Sequence, residues 1–203
     1  MIVHCFPVGQ LETNCYLAYC SRTNEGIVVD PGDEGSFLSE KIKELKIKLK
    51  LIIATHGHFD HILAAEELRL NFQIPLLIHQ EDLFLLKKAG QSAEFWLQDK
   101  EKFLLPQKAR FIEEGEKIRF GQEELKVIHT PGHTPGSIAL YSQKENLLFS
   151  GDLLFQEGVG RTDFSYSSPE KLEQSLRKVF SLPSQTLVYP GHGKAFTLEK
   201  RLS

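Results

Sequence analysis

Through the first thirty residues the apolar positions fall in short runs that read as strands: Ile2 to Pro7, Asn14 to Cys20 around Tyr16 and Leu17, and Ile27-Val28-Val29, which stops at Asp30-Pro31-Gly32. The spacing then turns helical. Leu38, Ile42 and Leu45 recur at intervals of four and three and so line one helix face, and Ile62, Ala65 and Leu68 predict another helix between Ile62 and Asn71. Leu51-Ile52-Ile53-Ala54 is an apolar run between them, and Pro75 to Ile78 reads as a short strand. From Lys117 onward strands dominate: Ile118 to Phe120, Leu125 to Ile128, Ile138 to Tyr141 and Leu147 to Phe149, which give the second half a sheet of its own. A helix from near Pro169, striped by Leu172, Leu176 and Val179, precedes a last strand, Thr186 to Tyr189. Gln80 to Gln107 is the least regular portion, mixing Phe84-Leu85-Leu86 with charges, and reads as helical segments covering a site. No Ser-, Gly- or Pro-rich linker, low-complexity tract or repeat interrupts the chain, so residues 1–203 are expected to form a single domain.

Composition narrows the class. An apolar content of 41% over 203 residues supports a substantial core. With 24 basic against 27 acidic residues the net charge is -3, too near neutral to imply nucleic acid or an anionic membrane as a partner. Lys41, Lys43, Lys46, Lys48 and Lys50 read as a solvated helix face with its strand approach. No window holds the ~18 to 20 apolar residues of a membrane span, and Met1 to Cys5 shows no signal-peptide pattern, so a soluble, cytoplasmic protein is expected. The 3 cysteines, Cys5, Cys15 and Cys20, include no C-x-x-C pair and are read as reduced, buried thiols.

The chemistry is concentrated in Thr55-His56-Gly57-His58-Phe59-Asp60-His61, directly after an apolar run. Such a density of imidazole and carboxylate points to metal. His56 and His58, with a small residue between, can reach one ion from a tight turn, and Asp60 and His61 point to a second. Candidate ligands follow apolar runs three more times: His133, Asp152 and His192, each beside a glycine (Gly132, Gly151, Gly191) that lets a loop crowd around a small object. Loops mounted on strand ends carry most such sites, so the four segments are expected to share one.

These residues resemble the metallo-β-lactamase superfamily. His56, His58, Asp60 and His61 fit its H-x-H-x-D-H motif. His133 in Pro-Gly-His-Thr-Pro-Gly-Ser, Asp152 in Ser-Gly-Asp and His192 in Pro-Gly-His-Gly fit the remaining elements, and Asn14-Cys15-Tyr16-Leu17 and Val29-Asp30-Pro31-Gly32 look like its opening strands. The resemblance implies an α/β fold, an αββα sandwich of two mixed sheets flanked by helices. It further implies two divalent metal ions, zinc first with iron or manganese as alternatives: one on His56, His58 and His133, the other on Asp60, His61 and His192, with Asp152 bridging and Asp30 orienting a ligand.

Within the superfamily, Gly132 to Ser137 and Gly160-Arg161-Thr162-Asp163-Phe164 look most like glyoxalase II and its compact relatives. That likeness implies a hydrolase cleaving a small-molecule thioester by a metal-bound hydroxide, with Asp60 as the catalytic residue orienting it or, equally, as a metal ligand alone. The helical domain that gives glyoxalase II its glutathione contacts has no counterpart after His192, so glutathione recognition is not expected. Arg161 and Tyr166 are candidates to meet a substrate carboxylate, Arg161 equally to pair with Asp163; His4, His79 and His129 are assigned structural or surface roles. The rival readings are a mono-iron persulfide dioxygenase, against which His192 counts, a lactone or β-lactam hydrolase, and a metal-binding module without catalysis.

Overall fold

The computed structural model describes residues 1–98, 103–106 and 108–202; the segments 99–102 and 107 of the irregular stretch lie outside the described residues. In chain order the elements are β1 (Ile2–Val8), β2 (Thr13–Tyr19), β3 (Glu25–Val29), α1 (Gly35–Glu44), β4 (Lys48–Ile53), α2 (Ala65–Phe72), β5 (Leu76–Ile78), α3 (Leu83–Leu97), β6 (Arg110–Phe111), β7 (Lys117–Phe120), β8 (Glu123–His129), β9 (Ile138–Ser142), β10 (Leu147–Gly151), β11 (Leu154–Phe155), β12 (Gly158–Val159), α4 (Pro169–Phe180), β13 (Leu187–Pro190), β14 (Phe196–Thr197) and α5 (Glu199–Leu202).

One sheet runs β1-β2-β3-β4-β5-β6, antiparallel through β3 and parallel beyond it. The other runs β14-β13-β10-β9-β8-β7, antiparallel except where β10 meets β13. Side-chain alternation sets which faces meet. On β7, Ile118 and Phe120 point inward while Lys117 and Arg119 face water. The inward residues of both sheets, among them Tyr16, Ile27, Ile53, Leu125, Leu140 and Phe149, form one layer. Burying a side chain such as Phe149 there stabilises the fold by about 1.5–3 kcal/mol. On the outer face of the first sheet, Leu17, Val28 and Ile52 pack against Leu38 and Ile42 of α1, Leu68 of α2 and Leu86 and Ala89 of α3. Across the molecule Leu148 and Val188 pack against Leu172 and Val179 of α4. The architecture is therefore an αββα sandwich.

Local chemistry fixes α4. The Ser168 hydroxyl accepts from Lys171 N, Pro169 opens the first turn, and Arg177 and Lys178 lie at the negative end of the helix dipole. Cys15 and Cys20 are buried as expected. Cys5 is exposed, because β1 is an edge strand with an uncovered face. Among the described residues no helix is long and apolar enough to cross a membrane.

What the fold does for function is to bring strand ends together. β4, β8, β10 and β13 lead directly into the segments holding His56 to His61, His133, Asp152 and His192. Backbone hydrogen bonds lock these segments across the sheets: Ile138 N to Thr55 O (2.8 Å), Gly191 N to Gly151 O (2.9 Å) and Asn14 N to Gly191 O (2.8 Å).

Candidate metal centre

The structure brings His56, His58, Asp60, His61, His133, Asp152 and His192 to one place, and each imidazole is held by its outer nitrogen. His56 Nδ1 lies 3.1 Å from Thr55 Oγ1, and His58 Nε2 lies 2.8 Å from the Tyr166 hydroxyl. His133 Nδ1 donates to Arg161 O (2.8 Å) and His192 Nδ1 to Leu11 O (3.0 Å). His61 Nδ1 stands 3.0 Å from Asp30 Oδ2. Asp30 sits in the left-handed region (φ 52°), a backbone conformation that costs a non-glycine residue energy. There its carboxylate accepts from both Thr55 N and Thr55 Oγ1 at 2.7 Å, joining the end of β3 to the segment after β4. In a neutral ring an outer partner of this kind fixes the tautomer and leaves the inner nitrogen with its lone pair facing inward.

The inner nitrogens converge. His58 Nδ1 is 3.1 Å from His56 Nε2 and 3.0 Å from His133 Nε2. Three lone pairs at that spacing repel unless a cation lies among them, and the spacing matches the edge of a tetrahedral nitrogen site, ~3.3 Å for a metal–nitrogen distance of ~2.0–2.1 Å. A second set is formed by Asp60, His61 and His192, with His192 Nε2 and His61 Nε2 at 3.3 and 3.5 Å from Asp60 Oδ2. Asp152 touches both: Oδ1 is 3.5 Å from His61 Nε2, and Oδ2 is 3.6 Å from His133 Nε2 and 3.8 Å from His192 Nε2. His61 Nε2 and Asp152 Oδ1 are buried with no hydrogen-bond partner, which in a well-satisfied interior calls for an ion. The donor set therefore fits two divalent cations.

Electrostatics point the same way. Burial, reinforced by the neighbouring imidazoles, pushes His56 far below its ordinary value and His58 down to about 3, so both offer lone pairs at neutral pH. Burial alone would also lower His61, but Asp60, Asp30 and Asp152 surround it and hold it up at about 10. Burial would raise the Asp60 carboxyl, yet His61 and His192 outweigh it and keep Asp60 ionised. In the metal-free protein a proton on His61 Nε2 thus takes the place of a cation. At pH 8 His61 is protonated and His56 and His58 are not, so metal loading should release about one proton from His61. Metal affinity should then rise about tenfold per pH unit until His61 deprotonates near 10. Calorimetric titrations with zinc in two buffers of different ionisation enthalpy measure this; no proton release at pH 8 would refute the protonated His61.

The supports were less legible than the ligands. Asn14 Nδ2 donates to Pro190 O (2.9 Å) and Gly193 O (2.8 Å), and the Tyr16 hydroxyl donates to Pro190 O (2.6 Å), so the start of β2 holds the His192 segment. Thr13 Oγ1 donates to Asp60 Oδ2 at 3.0 Å. Asp82, which the sequence did not single out, is buried and accepts from Gly57 N (2.8 Å), Thr134 Oγ1 (2.7 Å) and Gly136 N (2.6 Å), tying the His58 and His133 segments together. Gly132, at φ 144°, lies against the Leu172 backbone, where any Cβ would collide.

A cleft of about 430 Å³ opens over the cluster, walled by Leu11, Phe59, Trp96, Phe164 and Tyr166, with Ser92 and Arg161 at its margin. Arg161 is already paired with Asp163 in two hydrogen bonds of 2.7 and 2.6 Å and lies 4.6 Å over the Phe164 ring. Its structure-anchoring alternative is thus the one observed. Tyr166 stacks on Phe164 and turns its hydroxyl to His58. The irregular stretch contributes as expected: Ser92 and Trp96, both on α3, line the cleft.

Comparison with known proteins bears on this geometry. The family model of the metallo-β-lactamase superfamily matches residues 8–192. The hydroxyacylglutathione hydrolase GloC of Haemophilus influenzae is 36% identical, over 99% of this chain and 96% of its own length. Among solved structures, BLEG-1 B3 metallo-β-lactamase superposes with a TM-score of 0.90 at 33% identity, covering 99% of this chain and 96% of its own. The di-iron-bound form of TTHA1623 superposes with a TM-score of 0.89 at 36% identity, covering 98% and 97%.

Proposed function

The chain belongs to the metallo-β-lactamase superfamily, and from that premise we propose that it is a binuclear-metal hydrolase of small acyl thioesters. The observation that carries this reading is the arrangement of five imidazoles in two sets with Asp152 between them, within 3.5 to 3.8 Å of His61, His133 and His192. His56, His58 and His133 would hold one ion and Asp60, His61 and His192 the other, zinc or, as in the di-iron form of TTHA1623, iron. Two such cations supply Lewis acidity, polarising a carbonyl and lowering the pKa of water from ~15.7 towards ~7.

The chain's own groups then have defined tasks. Asp60, kept ionised and steadied by Thr13, accepts a hydrogen bond from the attacking water and aims it. Tyr166 accepts from His58 Nε2, which leaves its own proton for the substrate; burial pushes that phenol up to about 12, so the proton stays in place. A departing thiolate needs little help, since thiols ionise near ~8.5. The apolar walls exclude water from the acyl group.

The thiol carrier follows from the cleft. Arg161 is the only Lys or Arg among the described residues lining it, and Asp163 already neutralises that charge. Glutathione's two carboxylates therefore gain little, and remote binding energy for raising turnover is small. S-lactoylglutathione and the lactoyl thioester of N-acetylcysteamine should be cleaved with kcat/KM values within about tenfold of each other. A preference above about 100-fold for the glutathione conjugate would overturn carrier independence. Oxygen uptake with a persulfide and no thioester cleavage would replace the hydrolase reading, and cephalosporin hydrolysis alone would favour the activity named for BLEG-1.

A further inference from the structure

His79, Glu81 and His129 form a cluster that neither the core nor the proposed reaction uses. His79 follows β5 in the first sheet, Glu81 lies in the single 3-10 turn after it, and His129 ends β8 in the second sheet. The two imidazoles stack with centroids 4.2 Å apart and planes 15° apart. One ligand atom from each of the three residues lies within 4.8 Å of the others. His129 Nε2 is 2.9 Å from Pro135 O and 3.8 Å from Glu81 Oε2. The tie to a carbonyl fixes the tautomer, with the proton on Nε2 and the lone pair on Nδ1, the nitrogen through which His129 would bind. His79 accepts one long hydrogen bond, 3.3 Å from Glu81 N, a contact that costs little to give up. Burial and the adjacent His129 lower His79, which therefore presents an unprotonated ring at neutral pH. The surroundings are acidic: Glu113 acts on His79, and Glu114 accepts from His129 N at 2.6 Å while pairing with Lys178.

We propose that His79, Glu81 and His129 form a third transition-metal site, separate from the central pair, for a single Zn(II), Ni(II) or Cu(II) ion. Two neutral imidazoles and a carboxylate are a competent borderline donor set for these ions. Binding requires the donors, which lie within 4.8 Å of one another, to settle at ~3.3 Å, the spacing set by metal–nitrogen bonds of ~2.0–2.1 Å. His79 and His129 are half-exposed and Glu81 is exposed, so all three have room to turn. An ion there would clip the end of β5 to the end of β8, one strand from each sheet, beside Asp82 and the loop of Pro135 that follows His133. Its effect is structural: it braces the seam from which two of the central segments are hung.

The test starts from protein whose central pair is already filled with zinc. Wild-type, His129→Ala and Glu81→Gln proteins are dialysed to equilibrium against micromolar Ni(II), and total zinc plus nickel per chain is counted. Wild type should hold one ion more than His129→Ala. Glu81→Gln changes only an exposed side chain and keeps the fold, and it should weaken the extra site by more than about tenfold. Thioester cleavage should be unchanged in both. In histidine-ring NMR spectra of wild type, added Ni(II) should broaden the His79 and His129 signals before any others. Equal metal content in all three proteins, or broadening confined to other histidines, would overturn the site.

Discussion

Asp152→Ala protein is expected to lose both ions and at least about 10³-fold in activity while keeping its fold. The carboxylate faces both halves of the cluster, within 3.5 to 3.8 Å of His61, His133 and His192, so its loss reaches both. A loss of 10³ corresponds to about 4 kcal/mol of transition-state stabilisation, a size that a missing positioned charge readily accounts for. The fold should survive because Asp152 makes no hydrogen bond to the scaffold through Oδ1 and the strand before it, β10, is locked on both sides by β9 and β13. Removing the carboxylate also removes one of the charges that hold His61 protonated in the metal-free state. Elemental analysis, circular dichroism and a thioester assay on the same preparation separate the effects. A variant that retains two ions per chain and near wild-type turnover would remove Asp152 from the site.

The residues of the central cluster were legible because each sits in a local pattern: His56 to His61 are packed into six residues, and His133 and His192 each follow Pro-Gly. The sheets were legible for a similar reason. Runs such as Ile27 to Val29 and Leu147 to Phe149 are buried on both faces, and an uninterrupted apolar run survives any register. What escaped lay below that resolution or depended on distance. β6, β11, β12 and β14 are two residues each, too short for any period to register. Gln80 to Gln107 read as helical segments, but the extent of α3 within them was hidden, because Phe95 and Trp96, 74% and 55% exposed, break the polar face that would have framed Leu86, Ala89 and Ala93; Trp96 faces the cleft instead of the core. Asp82 hid for another reason. An Asp before a helix reads as a cap, yet here its side chain makes no cap hydrogen bond and reaches 25 residues back to Gly57 and 54 forward to Gly136.

That reach makes Asp82 the second large effect. Asp82→Ala should lower stability by about 3–5 kcal/mol, because three buried donors lose their acceptor at once and each stranded group costs about 1–3 kcal/mol, less what entering water restores. In a chain of 203 residues this is a fall in Tm on the order of 10 °C. Metal affinity should fall as well, about 10- to 100-fold, although Asp82 touches no ligand side chain: Gly57 N and Gly136 N fix the backbones that carry His56, His58 and His133. Asp82→Asn separates the two consequences. Its amide keeps one acceptor for Gly136 N, and the Thr134 hydroxyl can turn to accept from the new NH₂, but Gly57 N then faces a donor and the turn between His56 and His58 loosens. Asp82→Asn should therefore regain most of the stability while still binding metal more weakly than wild type. Thermal unfolding and competitive chelator titration of the three proteins give the two quantities independently. Wild-type metal affinity in both variants would reduce Asp82 to a packing residue and leave the spacing of the His58 and His133 segments to the sheets alone.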